Sequence, residues 1–126
     1  MRYSMVINKL VDQNPSYMSK DMRHIVLKLL ILKSIKNGKT YSYALVKKFS
    51  NDRVSRLLQK DDGNVKNDIY NTINALEKSG YIKAKAGSNN ARSKKYYTLT
   101  RSGKATLVQT KRIFISSMKS LMEIMG

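Results

Sequence analysis

The chain has 126 residues, 41% of them hydrophobic, and carries 25 Lys and Arg against 8 Asp and Glu, a formal net charge of +17. That length fits one domain with a real core, and that charge calls for a polyanionic partner, nucleic acid ahead of an anionic membrane surface. The absence of cysteine excludes disulfides and thiolate metal sites, and the apolar stretch around residues 25–35 is broken by Lys28 and Lys33, against a membrane span.

The first nine residues have too short an apolar run for a secretory signal, and a cytoplasmic location is expected. Met5, Val6 and Leu10, with Ile7, predict a short amphipathic helix that ends at Asn14-Pro15. Ser19 is the expected N-cap of a second helix, whose broad apolar face carries Met22, Ile25, Val26, Leu29, Leu30, Leu32 and Ile35. Asn37-Gly38 is expected to close it with a left-handed residue. Lys39-Thr40-Tyr41 reads as a short extended stretch, and Ser42 as the cap of a third helix with Ala44, Leu45 and Phe49 inward. Val54, Leu57 and Leu58 have helical spacing, so residues 51–60 form a short extra helix or an ordered loop. Asp61-Asp62-Gly63-Asn64 reads as a turn, with Asp62 or Asn64 capping a helix over residues 65–79.

Residues 81–86 alternate, with Ile82, Ala84 and Ala86 on one face and Tyr81, Lys83 and Lys85 on the other, as in a half-buried strand. Gly87-Ser88-Asn89-Asn90 is the expected hairpin tip, and residues 95–99 the return strand with Tyr97 and Leu99 inward. Thr100 caps a long final helix to about Met125. The expected architecture is mainly α with one small β-hairpin: an N-terminal helical arm (1–18), a winged helix-turn-helix domain (19–100) and a C-terminal dimerisation helix (101–126).

At 3.6 residues per turn, Val65, Ile69, Thr72, Ile73 and Leu76 share one side of the helix before the hairpin. Asn67, Asn71, Asn74 and Lys78 lie opposite, with Lys66 and Tyr70 on the flanks. Asparagine amides donate and accept together, which suits the adenine edge in the major groove. It is also a mediocre helix former, so three of them on one face ask for a reason beyond solvation. Tyr70 can meet a phosphate or a thymine methyl, and Lys66 and Lys78 can neutralise phosphates. On the preceding helix, Ser42, Tyr43 and Lys47 are candidate phosphate contacts.

From Lys78 to Arg112 every charged residue is basic. In the hairpin this places Lys83, Lys85, Lys94 and Lys95 over a backbone, with Arg92 near the tip suited to a narrow minor groove. In the last helix Leu107, Phe114, Met118, Leu121 and Met125 recur at steps of seven, four, three and four, with Val108, Ile115 and Met122 beside them. A stripe that wide calls for cover, and a second copy of the chain is the simplest one. Leu107, Phe114, Ile115, Met118, Leu121, Met122 and Met125 are therefore the expected dimer interface, which the segment around Met5, Val6 and Leu10 could join.

Three blocks resemble the PadR family of transcription regulators. Leu30-Ile-Leu-Lys-Ser-Ile-Lys-Asn-Gly38, with Tyr41-Ser-Tyr-Ala-Leu-Val-Lys-Lys-Phe49, is similar to the opening helix and the start of the next. Ile69-Tyr70, Ile73, Leu76-Glu77 and Gly80-Tyr-Ile82 resemble the recognition helix and its exit, with Tyr70 at the family's recurrent tyrosine. Lys94-Lys95-Tyr96-Tyr97-Thr98-Leu99-Thr100-Arg-Ser-Gly103 resembles the return strand of the wing and the start of the last helix. Ser42 stands where the family often has glycine and Asn71 where proline often follows the tyrosine. There is no tryptophan, so the tryptophan-stacking drug pocket of some relatives is not available.

No phosphate-binding glycine loop, nucleophile elbow or metal-ligand cluster occurs in the sequence, and neither enzymatic activity nor a cofactor is expected. His24, the only histidine, reads as a structural or surface residue. The expected function is a homodimeric, sequence-specific duplex-DNA-binding regulator of transcription, with repression the expected mode. The alternatives are an architectural protein coating DNA with little sequence preference, a basic RNA-binding module, and an adaptor kept soluble by its charge.

Overall fold

The apolar spacing of residues 20–37 closes into α1 (Lys20–Asn37) in the computed structural model of the chain. The structure describes residues 20–38, 40–58, 62–86 and 95–126, apart from the side chains of residues 20, 52 and 62–64. The expected arm helix, the Ser19 cap and the 87–90 hairpin tip lie outside the described residues. α1 buries Leu27, Ile31, Leu32 and Ile35. Leu27 and Ile31 were not on the face expected from the sequence, and Ile25, which was, is 37% exposed. Apolar residues run almost all around this helix, so periodicity alone does not say which side turns inward.

Gly38 does not take the left-handed conformation expected of it; among the described glycines only Gly80 and Gly126 do. Two residues on, the chain is tied to the hairpin. Thr40 is bridged to Tyr97, and the Tyr97 N–H donates to the Thr40 carbonyl at 2.9 Å. Tyr41 continues this tie by meeting Tyr96 edge-to-face, with ring centroids 5.8 Å apart.

α2 (Ser42–Phe49) buries Leu45, Val46 and Phe49. Its N-cap is Tyr41, with no side-chain hydrogen bond, and Ser42 is the first helical residue rather than the cap. The short helix α3 (Asp52–Leu58) follows at once. Asn51 joins the two: its Oδ1 accepts from the Val54 N–H at 3.0 Å, and its Nδ2 donates to the Lys48 carbonyl at 2.8 Å. Val54 and Leu58 are buried and Leu57 is exposed.

α4 spans Asp62–Lys78, so residues 62–64 form its first turn and not a separate turn before it. Val65, fully buried, anchors that end. β1 (Ile82–Ala86) and β2 (Lys95–Leu99) then pair antiparallel, Ile82 opposite Leu99 and Ala84 opposite Tyr97. α5 (Arg101–Met125) starts at Thr100, whose side chain accepts from the Gly103 N–H at 3.0 Å. One core joins the elements: the buried sides of α1, α2 and α4 meet Ile82, Tyr97 and Leu107.

Candidate nucleic-acid interface

α4 separates its residues cleanly. Val65, Ile69, Ile73 and Leu76 are buried, while Lys66, Asn67, Tyr70, Asn71, Asn74 and Lys78 are exposed, with Thr72 intermediate. The inner four fix the roll of the helix about its axis, because each would lose about 1.5–3 kcal/mol if turned into water. That fixed roll holds the amides outward. Asn71, Asn74, Glu77 and Lys78 border a shallow depression on the outer face. Glu77, quoted above only within the family-like block, is half-buried and was given no contact of its own from the sequence, because no spacing signal marks it.

The end of α4 is set by Gly80, at φ 78°. The Tyr81 N–H donates to the Leu76 carbonyl and the Gly80 N–H to the Glu77 carbonyl, both at 3.0 Å. This paired closure needs a left-handed residue where Gly80 stands, so the helix stops there and the chain turns into β1. The Lys28 ammonium lies 5.0 Å from the centroid of the Tyr81 ring and pins that turn to α1.

In the hairpin, Lys83 and Lys85 are exposed and lie on one face with their partners Thr98 and Tyr96. Lys95 is also exposed, but it pairs with Ala86 and so projects from the other face. The hairpin therefore offers cations to both sides. Arg92 and Lys94 lie outside the described residues. The base of the hairpin is held by contacts the sequence reading missed. Thr100 Oγ1 donates to the Gly80 carbonyl at 2.6 Å, and Ser102 Oγ donates to the same oxygen at 3.1 Å. The available signal was the Thr-x-Ser-Gly run directly after the return strand.

On α2, Tyr43 is 62% exposed and Lys47 is exposed. Ser42 differs: it is half-buried, and its hydroxyl donates to Tyr97 Oη at 3.4 Å, away from any outer face. A serine in the first turn of a helix can serve either the chain or a ligand, and here a buried tyrosine takes it.

Along α5, Leu107 is only 4% exposed and belongs to the core of its own protomer, which removes it from the expected dimer stripe. The first turns of α5 lie on α1, so the stripe has two duties along its length. Phe114 and Met118 are half-buried, and Ile115, Leu121, Met122 and Met125 are exposed. Ile113 and Ile124, exposed as well, widen the apolar arc beyond the residues singled out from the sequence.

A three-helix core with an exposed amide-bearing helix and a two-stranded wing defines a winged helix-turn-helix protein. Residues 31–109 match the model of the transcriptional regulator PadR-like family, and the chain belongs to that family. The fold is shared with a transcriptional regulator from Clostridium thermocellum, at 22% identity and a TM-score of 0.67 over 86% of this chain and 99% of that one. A PadR family regulator from Eggerthella lenta matches at 19% identity and a TM-score of 0.65, over 100% of this chain and 97% of that one. Bacillus subtilis PadR, solved in complex with operator DNA, matches at 27% identity and a TM-score of 0.51, over 67% of this chain and 46% of that one. No curated protein matches the sequence. No described helix is long and apolar enough to cross a membrane.

Proposed function

We propose that this chain is a homodimeric, sequence-specific duplex-DNA-binding repressor that works in the cytoplasm on the nucleoid, without a catalytic step. In this reading α4 enters the major groove, with Asn67, Asn71 and Asn74 at base edges and Tyr70 at a phosphate or thymine methyl. Lys66 and Lys78 neutralise phosphates. Lys83, Lys85 and Lys95, with Arg92 and Lys94 nearer the tip, hold the flanking backbone or minor groove, and Tyr43 and Lys47 of α2 touch the backbone on the other side. The observation that carries the reading is the division of α4, four residues locked inside and six base- or phosphate-competent ones outside. The operator complex of Bacillus subtilis PadR supports it by likeness.

The dimer reading rests on the apolar arc of α5, which a single wing domain leaves uncovered. Two copies would present α4 helices about 34 Å apart and call for a near-palindromic site. Footprinting on genomic DNA tests the function. Discrete protected sites carry the repressor reading. Continuous coverage would replace it with an architectural coat, and preferential retention of structured RNA with an RNA-binding module.

A further inference from the structure

A cleft of about 540 Å³ opens between α1 and one flank of α4. His24 and Lys28, one turn apart on α1, line one side, and Asp68, Asn71, Thr72 and Ser79 line the other. Asn71 and Ala75 border both this cleft and the shallow depression on the outer face of α4, so the two surfaces are continuous. His24 is exposed, and the half-buried Lys28 is held 5.0 Å from the centroid of the Tyr81 ring.

We propose that this cleft seats a backbone phosphate of the bound duplex, with His24 donating to the phosphate oxygens and Lys28 adding its charge. The inference rests on the DNA reading above and adds α1 to the interface. His24 is then a positioning residue: it fixes where Asn71 meets the bases and reads no base itself.

A helix lying in the major groove has a phosphate backbone along each side. At 3.6 residues per turn, Lys66 and Tyr70 stand on one flank of α4, and Asp68, Thr72, Ala75 and Ser79 on the other. The first flank carries its own cation. The second carries none and has an acid instead, so α4 alone would repel a backbone there. α1 supplies the missing charge, because His24 and Lys28 are the basic residues facing that flank across the cleft. Asp68 already has a partner within the chain. The Thr72 hydroxyl donates to the Asp68 carbonyl at 2.7 Å, which keeps its proton on α4.

Histidine is the side chain whose ordinary charge change falls between about pH 5 and 8, and His24 is the only histidine of the chain. The other charged or titratable groups lining the cleft are Lys28 on α1, Asp68 on α4 and Tyr81 at the turn. Asp21 and Arg23 precede His24 on α1. A phosphate beside the imidazole favours its protonated form. The complex therefore takes up a proton, and affinity rises as pH falls.

Anisotropy of a labelled mixed-sequence duplex at fixed ionic strength reads this uptake. From about pH 8 to about pH 5.5 the wild-type chain should gain about three- to tenfold in affinity. His24→Gln should match the wild type at the alkaline end and lose the gain. His24→Arg should hold the acid-range affinity across the whole series. A flat wild-type profile, or a gain that survives in His24→Gln, would overturn the seat while leaving the DNA reading in place. Failure of the wild type to bind duplex at any pH would remove both. The single imidazole also gives one nuclear magnetic resonance signal that reports the source of the phosphate. It should move on adding duplex; a signal that moves with inorganic phosphate but not with duplex would make the cleft a free-anion site and overturn the assignment.

Discussion

Gly103 lies against the backbone carbonyl of Tyr81, so closely that a Cβ at that position would overlap the oxygen. The same carbonyl accepts from the Thr100 N–H at 3.1 Å. The start of α5 is thereby bolted to the point where α4 passes into the wing. Three parts, α4, the basic hairpin and the apolar final helix, share this one joint. Gly103→Ala must push backbone from backbone and should cost about 1–3 kcal/mol. A thermal melt followed by circular dichroism should show a lowered midpoint; an unchanged midpoint would mean the joint is looser than this contact requires.

Thr100 has two duties at the joint, capping α5 through the Gly103 N–H and donating to the Gly80 carbonyl. Thr100→Ala should cost about 1 kcal/mol from the cap alone. Thr100→Ser should recover most of it, because it keeps the hydroxyl. Urea titration of the pair checks this, with equal loss in both variants counting against the hydroxyl.

Asn71 and Lys83 should fail in different ways. If Asn71 makes a bidentate contact to a base, Asn71→Ala should cost about 1–3 kcal/mol at that base and relax preference there. Lys83→Ala should weaken all duplexes alike and reduce the salt slope by about one. Binding of operator and scrambled duplexes over a salt series separates the two. Parallel losses on both sequences for both variants would remove the base-reading role of Asn71.

Ser42 and Lys47 test the geometry of α2. The hydroxyl of Ser42 is turned to Tyr97 Oη, so Ser42→Ala should leave DNA affinity within about twofold while costing about 0.5–1.5 kcal/mol of stability at most. Lys47→Ala should show the reverse, with stability held and affinity lowered on every duplex. A large affinity loss in Ser42→Ala would show that this hydroxyl leaves Tyr97 to meet DNA.

With about six to ten phosphates neutralised per dimer, affinity should fall about 10³- to 10⁵-fold between 50 and 200 mM salt. Fluorescence anisotropy with a labelled duplex measures the slope. A slope near zero would contradict an interface built on this charge, whatever the fold.

Periodicity carried the outline of the fold. The four buried positions of α4, the alternation of β1 as far as Ala84 (Ala86 is exposed), the Thr100 cap and the full length of α5 all follow from local rules that neighbouring residues satisfy by themselves. The outward set on α4 followed as well, because a helix with one strongly apolar side has only one other side to offer. Where apolar residues are dense, the rules lost resolution. α1 is apolar nearly all around, and Leu27 and Ile31 became core through the packing of other elements against that side.

The sequence by itself determined the element types, the order of helix, hairpin and helix, and the cationic character of the wing, since each depends on spacing and charge within one segment. Tertiary structure decided what depends on two segments meeting. Thr40 is bridged to Tyr97, and the Ser42 hydroxyl finds the same tyrosine instead of capping a helix. Leu107 is core because α5 begins on α1, and Gly103 is a contact because Tyr81 arrives against it. Residue identity states what a side chain can do, and the arrival of a distant partner determines which of those capacities is used.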